Sequence, residues 1–366
     1  MALKLHIVIH GAGPAFVREP GCPCVRCAEP QLGNKPSPQD VADLLAWARG
    51  AHTSASLVIE NDGIAVDHTL VDCGMGVMNN LAALATPARG QPIARVLVTH
   101  GHLDHIAGID GLLHSLKKAR TAGDFSEDEQ PLPLPLYTTQ RTWERYLGPN
   151  PEQPGDAGIL HRAHDNMRLV DVTAAARALA PIVVHPALHI TPIPAEHLDG
   201  GVNYLCEFWP SGGASRGTAL RVGLCWDLRA FPAGAATDYW QGIALDPRAG
   251  TLYERMAGLD LLLIEMTNWR PAPGHISFEA DPAVGYGVRD LIDAWAPRQT
   301  RIVHYSGWND RQSTNGTWLR GEAATRNGNP AQGPVSDRQL RRALRAALPD
   351  GTAIDVGQAG MSLTLG

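Results

Sequence analysis

The sequence predicts an α/β protein in which two β-sheets pack face to face with helices on the outside. Three observations predict it. Short apolar, β-branched runs recur in two series, each followed by segments of helical periodicity. Two of the early runs are joined by Asn61-Asp62-Gly63, whose Asp-Gly pair is a strong hairpin signal. The apolar run 94–98 leads directly into Thr99-His100-Gly101-His102-Leu103-Asp104-His105, which puts three histidines and a carboxylate at the end of a buried strand.

Taken in order, strands are expected at residues 3–9, 54–60, 64–72, 94–98, 134–137, 167–172, 182–185, 188–193, 202–209, 219–225, 259–265 and 300–305. Helical periodicity falls at 38–49, 77–85, 108–119 and 282–295. A further helix at 336–348 is capped by Ser336 and stopped by Pro349, and a short hairpin is expected at 353–365. No internal repeat is visible. The 366 residues suffice for one enlarged α/β domain or for two.

The net charge of −6 excludes a global basic field of the kind that draws in nucleic acid, so such a substrate would need a local patch. No apolar run approaches the roughly 18 residues of a membrane span. The first residues alternate like a strand and have no signal-peptide pattern, so the chain is expected to be cytoplasmic. Six cysteines are present, and three of them, Cys22, Cys24 and Cys27, are packed into one hexapeptide. In a reducing compartment that cluster points to a metal before disulfides. Cys73, Cys206 and Cys225 lie in or beside apolar strands and read as small core residues.

A hydrolase using two divalent ions holds them about 3.5 to 4 Å apart and leaves positions open for substrate. The spacing His-x-His-x-Asp-His serves that need: His100 and His102 can converge on one ion, while Asp104 and His105 face a second. Later strand ends offer the remaining ligands. His197 can complete the first site, Asp227 can bridge both ions, and His304 can complete the second. Each of these alone is an ordinary strand-end residue; their joint presence carries the metal reading.

The order His100-x-His102-x-Asp104-His105, then His197, Asp227 and His304, preceded by Asp72 in Leu-Val-Asp-Cys-Gly, resembles the metallo-β-lactamase-fold hydrolases. The resemblance implies an αββα sandwich, two mixed sheets with helices outside and the metals at one edge, as a single domain over residues 1–366. Asp72 is then a carboxylate that fixes a ligand histidine. Inserts are expected near 120–130, 148–166, 210–218 and 309–334. Asp227 argues against true β-lactamases, which typically use cysteine there, and favours phosphodiesterases, tRNase Z-like nucleases, lactonases and thioesterases. The loop Cys22-Pro-Cys24-Val-Arg-Cys27 resembles the structural zinc loop of the phosphoribosyl cyclic phosphate phosphodiesterase and pyrroloquinoline-quinone biosynthesis protein B branch. The fourth zinc ligand of that phosphodiesterase has no counterpart here, where Gly307 stands. His275, in Pro-Gly-His-Ile-Ser, falls where the phosphodiesterases carry an extra active-site histidine; a Gly-His turn at a helix start is its bland alternative.

The expected function is therefore a dinuclear metal-dependent hydrolase, a phosphodiesterase acting on a small or cyclic phosphate ester through a metal-bridging hydroxide. Asp104, Asp227 and His275 are its catalytic residues, and two Zn²⁺ or Mn²⁺ ions plus a structural zinc its cofactors. The expected partner is a phosphorylated small molecule, with neither membrane nor nucleic acid, and with a homodimer left open. The alternatives are a lactone or thioester hydrolase on the same metals, or a biosynthetic accessory protein that binds a precursor. His161, His164, His185 and His189 read as surface or structural histidines, and Arg338, Arg341, Arg342 and Arg345 as a solvated helix face.

Overall fold

A computed structural model describes residues 2–13, 38, 51–83, 91–126, 132–148, 166–214, 217–234, 239–271, 274–305, 334 and 337–366. The first strands are β1 (Lys4–Gly11), β2 (Ser54–Asn61), β3 (Ile64–Val71), β4 (Arg95–Leu97), β5 (Leu134–Thr138) and β6 (Met167–Asp171). They are followed by β7 (Ile182–His185), β8 (Leu188–Pro194), β9 (Val202–Phe208), β10 (Leu220–Cys225), β11 (Leu261–Glu265), β12 (Thr300–Val303), β13 (Ile354–Val356) and β14 (Ser362–Leu365). One seven-stranded sheet runs β14-β1-β2-β3-β4-β5-β6 and the other β13-β12-β11-β10-β9-β8-β7. Both are mixed. In the first, β14, β1, β2 and β3 pair antiparallel and β3 to β6 pair parallel. In the second, β7 to β10 pair antiparallel and β10 to β13 parallel. The sheets share one plan although the sequence has no repeat.

Alternation along the strands builds the layers. Leu5, Ile7 and Ile9 of β1 point into a core between the sheets, where they join Leu57, Tyr204, Phe208, Val222 and Leu263. A second core packs Leu262, Ile264 and Ile302 under the helices Val288–Trp295 and Asp337–Ala347. A third packs Leu70, Val96 and Leu136 under Ile109–Ala122. This is helix, sheet, sheet, helix. No helix among the described residues is long and apolar enough to cross a membrane.

The hairpin between β2 and β3 turns through Asp62 and Gly63, both at positive φ (50° and 84°), as the Asp-Gly pair predicts. Two expectations are corrected. The segment 353–365 is not a hairpin: β13 pairs with β12 in one sheet and β14 with β1 in the other. Between them, Gly357 donates to the Ile302 carbonyl and Gly360 to that of Ile9, so both strands have other partners. The helix expected from residue 282 starts at Val288. Asp281 bridges back to Tyr286, and Asp290 Oδ2 accepts from the Gly287 N–H at 2.8 Å, which caps the helix there. Residues 39–49 of the helix expected at 38–49, Cys22, Cys24 and Cys27, His161 and His164, most of the inserts at 148–166 and 309–334, and the Ser336 cap lie outside the described residues. Cys73, Cys206 and Cys225 are buried free thiols, as read from the sequence.

Candidate metal centre

The first parallel strand of each sheet delivers a carboxylate. Asp72 follows β3 and Asp227 lies just beyond β10, and both take positive φ (55° and 50°), as does His304 after β12 (58°). Among the described residues six non-glycine positions adopt such φ, and three of them are here; Asp and His tolerate this region better than most residues. The remaining site residues also come from strand ends: the His100–His105 stretch after β4, His197 after β8, and Glu265 as the last residue of β11.

The side chains form two groups at one edge between the sheets. In the first, His102 Nδ1 stands 3.0 Å from His100 Nε2 and 3.1 Å from His197 Nε2. In the second, Asp104, His105, Asp227 and His304 bring one ligand atom each within 4.8 Å of one another. Asp227 faces both groups. Its Oδ2 contacts His105 Nε2, while Oδ1 is 3.3 Å from His304 Nε2 and 3.7 Å from His197 Nε2.

Asp72 organises what lies behind. It accepts from the Thr99 N–H at 2.8 Å, the Thr99 hydroxyl at 2.7 Å, Trp226 Nε1 at 2.7 Å and His105 Nδ1 at 2.8 Å. That leaves His105 Nε2 turned toward Asp227. His197 Nδ1 lies 2.9 Å from the Gly274 carbonyl, which orients its ring in the same way.

Electrostatics separates the two groups. Burial, then repulsion from neighbouring imidazoles, pushes His100 well below and His102 below the usual histidine range; burial also lowers His197. Those three rings stay neutral. Burial lowers His105 and His304 too, but Asp227 and the nearby carboxylates outweigh it, raising His105 well above its ordinary value and His304 to about 10.

The residues fit divalent metal binding. His105 Nε2, His304 Nε2 and Asp227 Oδ2 are buried polar atoms without a hydrogen-bond partner, and all three belong to the group whose ligand atoms lie within 4.8 Å of one another. Imidazole nitrogens and carboxylate oxygens are the donor set of Zn²⁺ and Mn²⁺, and a cation bound here would take the place of the protons that the carboxylates hold on His105 and His304.

Glu265 is a site residue that sequence reading misses. It is fully buried, and Oε1 lies 2.6 Å from His275 Nδ1. The Leu228 N–H donates to its other oxygen at 2.5 Å, and the Thr267 hydroxyl donates to Oε1. Burial alone raises the carboxyl, but His275 and His304 hold it down at about 2; in return Glu265 and Asp227 lift His275 above its ordinary value against burial. His275 is thus brought beside Asp227, at 3.6 Å, on the same edge as the expected ligands. The helix Gln140–Thr142 and its π-helical continuation Trp143–Leu147 are also unforeseen, and their only advance signal is the capping residue Thr139.

A family model described as the beta-lactamase superfamily domain matches residues 68–305, a span that contains every residue of the centre. The chain belongs to the beta-lactamase superfamily. Its architecture is the metallo-β-lactamase sandwich of that superfamily. A crystal structure of a diphosphatase from the PhnP family covers 100% of this chain and 98% of its own length, at TM-score 0.54 and 15% identity. The metallo-beta-lactamase fold protein YhfI from Bacillus subtilis covers 99% of both chains at TM-score 0.53 and 12% identity. In sequence, a ribonuclease Z of Bradyrhizobium sp. (strain ORS 278) is 34% identical over 130 residues. That match takes in 31% of this chain and 42% of the relative, so well under half of the relative's length is shared.

Proposed function

We propose that the protein is a dinuclear metal-dependent hydrolase, and specifically a phosphodiesterase acting on a small or cyclic phosphate ester. One observation carries this reading: Asp227 faces both ligand groups, with His275 and its buried partner Glu265 beside it. His100, His102 and His197 would hold one cation, and Asp104, His105, Asp227 and His304 the other, with Asp227 shared. When bound, the pair would supply Lewis acidity toward phosphate oxygens and a water of lowered pKa.

The chain's own residues account for the rest. Asp72 fixes the His105 ring and Gly274 that of His197. Glu265 engages Nδ1 of His275, so in the protonated ring Nε2 carries the proton to be given up. Such a group suits phosphodiester cleavage, where the departing alkoxide must be protonated and charge on the non-bridging oxygens must be met. The PhnP-family likeness and the ribonuclease Z relative support phosphorus as the centre attacked. Cys22, Cys24 and Cys27 would hold a further, structural zinc.

Turnover of bis-p-nitrophenyl phosphate by metal-loaded protein tests the reading: His102→Ala and Asp227→Ala should each abolish it, and unchanged activity in both would refute it. Hydrolysis of a lactone or thioester by the same residues would instead survive His275→Ala. RNA as the phosphodiester is a second reading, favoured by the name of the ribonuclease Z relative. A chain of net charge −6 offers RNA no overall attraction, so the small ester is preferred. An oligoribonucleotide assayed beside the small ester separates the two.

A further inference from the structure

His52 is a buried histidine outside the two ligand groups, and its Nδ1 donates to the main-chain carbonyl of Asp104 at 3.1 Å. A carbonyl oxygen only accepts, so Nδ1 carries the hydrogen. Asp104 Oδ2 in turn stands 3.4 Å from His105 Nε2 and 3.9 Å from His304 Nε2. We propose that His52 is a positioning residue for the second ligand group: by holding the Asp104 carbonyl it fixes where the Asp104 carboxylate stands, and so sets the affinity of the cation shared with His105, Asp227 and His304. This deepens the dinuclear reading and rests on it.

The local backbone explains why a side chain is needed there. Asp104 lies in the helix Leu103–Ile106, which is only 4 residues long. In a longer helix the Asp104 carbonyl would accept from the N–H of Gly108, one turn on. Gly108 gives that N–H to the Cys73 carbonyl instead, at 2.7 Å. A buried carbonyl without a donor is costly, and His52 supplies one. Gly74 closes the other side: a β-carbon there would stand 1.5 Å from the Asp104 oxygen and 3.0 Å from the His52 β-carbon. The carbonyl is thus held between the Gly74 main chain and the His52 ring. Metal ligands must be placed to within about 0.5 Å, and this short helix alone gives Asp104 little support.

The segment that carries His52 is itself tied to other residues of the centre. The Ser54 hydroxyl donates to the Asp72 carbonyl at 2.8 Å. Gly13 donates to the Ala51 carbonyl at 3.0 Å and accepts from the Thr53 N–H at 3.1 Å, while the adjoining Ala12 carbonyl accepts from the His304 N–H at 2.9 Å. This one stretch therefore braces the backbone of Asp72, Asp104 and His304. Burial lowers His52 below the ordinary histidine range, and the charges of Asp104, His105 and His304 act on its ring. A neutral ring satisfies the carbonyl without adding positive charge beside a cation, as a lysine or arginine would.

The test is Mn²⁺ binding to the full-length protein, followed by the electron paramagnetic resonance signal of the free ion. Thiolates select zinc, so Cys22, Cys24 and Cys27 do not enter this count. His52→Leu and His52→Asn remove the same ring and leave side chains of the same branched shape, but only the amide offers a donor where Nδ1 stands. His52→Leu should weaken one cation of the centre about 10- to 100-fold, the one that Asp104→Ala removes, and leave the other in place. His52→Asn should restore most of that affinity. Wild-type affinity in His52→Leu, equal losses in the two variants, or equal weakening of both cations would each overturn the role. A single cation in the wild-type centre would refute the dinuclear reading, and the difference between the two variants would still decide for or against His52.

Discussion

Glu265 Oε1 lies 2.6 Å from His275 Nδ1, joining a fully buried carboxylate to a partly exposed imidazole of this site. The negative charge keeps a proton on His275 to higher pH than an ordinary histidine would hold it. If that proton goes to the leaving group, kcat should fall as pH rises through the His275 pKa. Glu265→Gln keeps the shape but removes the charge, so the alkaline limb of the pH–rate profile should move to lower pH. His275→Ala should cost about 10²- to 10⁴-fold in kcat. A profile that Glu265→Gln leaves in place would sink this role.

Asp72 accepts four hydrogen bonds while buried, so its removal strands their donors as well as freeing His105. Asp72→Ala should destabilise the fold by about 3 to 5 kcal/mol and weaken metal binding about 10- to 100-fold. Chemical denaturation and metal analysis after dialysis measure the two effects independently.

A buried polar chain away from the metals gives a pH dependence of stability. His10 Nε2 lies 2.6 Å from Ser56 Oγ, which lies 2.7 Å from His68 Nε2. Burial, reinforced by His68, holds His10 at about 3, and burial holds His68 at about 4, both below the ordinary 6.5. Between those values and 6.5 the unfolded chain binds more protons than the folded one, so stability is complete above pH 6.5 and is lost as pH falls toward 4 and then 3. The loss amounts to several kcal/mol. The slope of unfolding free energy between pH 6.5 and 4 should flatten in His10→Gln/His68→Gln; an unchanged slope would assign the acid sensitivity elsewhere.

Two glycines near the motif should respond differently to alanine. At Gly74 the added β-carbon would meet the backbone oxygen of Asp104 at 1.5 Å, which no side-chain movement relieves. At Gly101 it meets the Tyr146 ring. Gly101→Ala should cost about 1 to 3 kcal/mol and be restored in part by Tyr146→Gly in the same chain, whereas Gly74→Ala should be more severe. Thermal melts of the three variants decide it.

Metal content per chain distinguishes the sites. Wild type should hold three equivalents, Cys24→Ser two, and Asp227→Ala should lose metal from the dinuclear centre while keeping the zinc of the cysteine loop. Two equivalents in both wild type and Cys24→Ser would remove the structural zinc.

Most of the strand order and the residues gathered in the candidate centre are legible because both depend on local pattern. His100 to His105 follows an apolar run within a few residues, and His197, Asp227 and His304 each terminate another. Glu265 is not legible, because an acid closing an apolar strand looks like an ordinary solvated end; only the return of the chain to His275 and Leu228 makes it a buried anion. The true partners of β13 and β14 escape for a related reason. Two short strands about a glycine-containing turn satisfy every local requirement of a hairpin, and their pairing with β12 and β1 is set by distant sheet edges.

That divided pairing makes the last strands a tether between the two halves of the molecule. Ile9 donates to the Met361 carbonyl and Gly357 to that of Ile302, so one short connection grips β1 on one side and β12 on the other. The motif 100–105 rides on the first sheet, and His197, Asp227 and His304 ride on the second. Neither half assembles the centre alone. Dissection into separately folding halves, or a chain ending before residue 354, would therefore abolish the coordination geometry even with every donor residue intact.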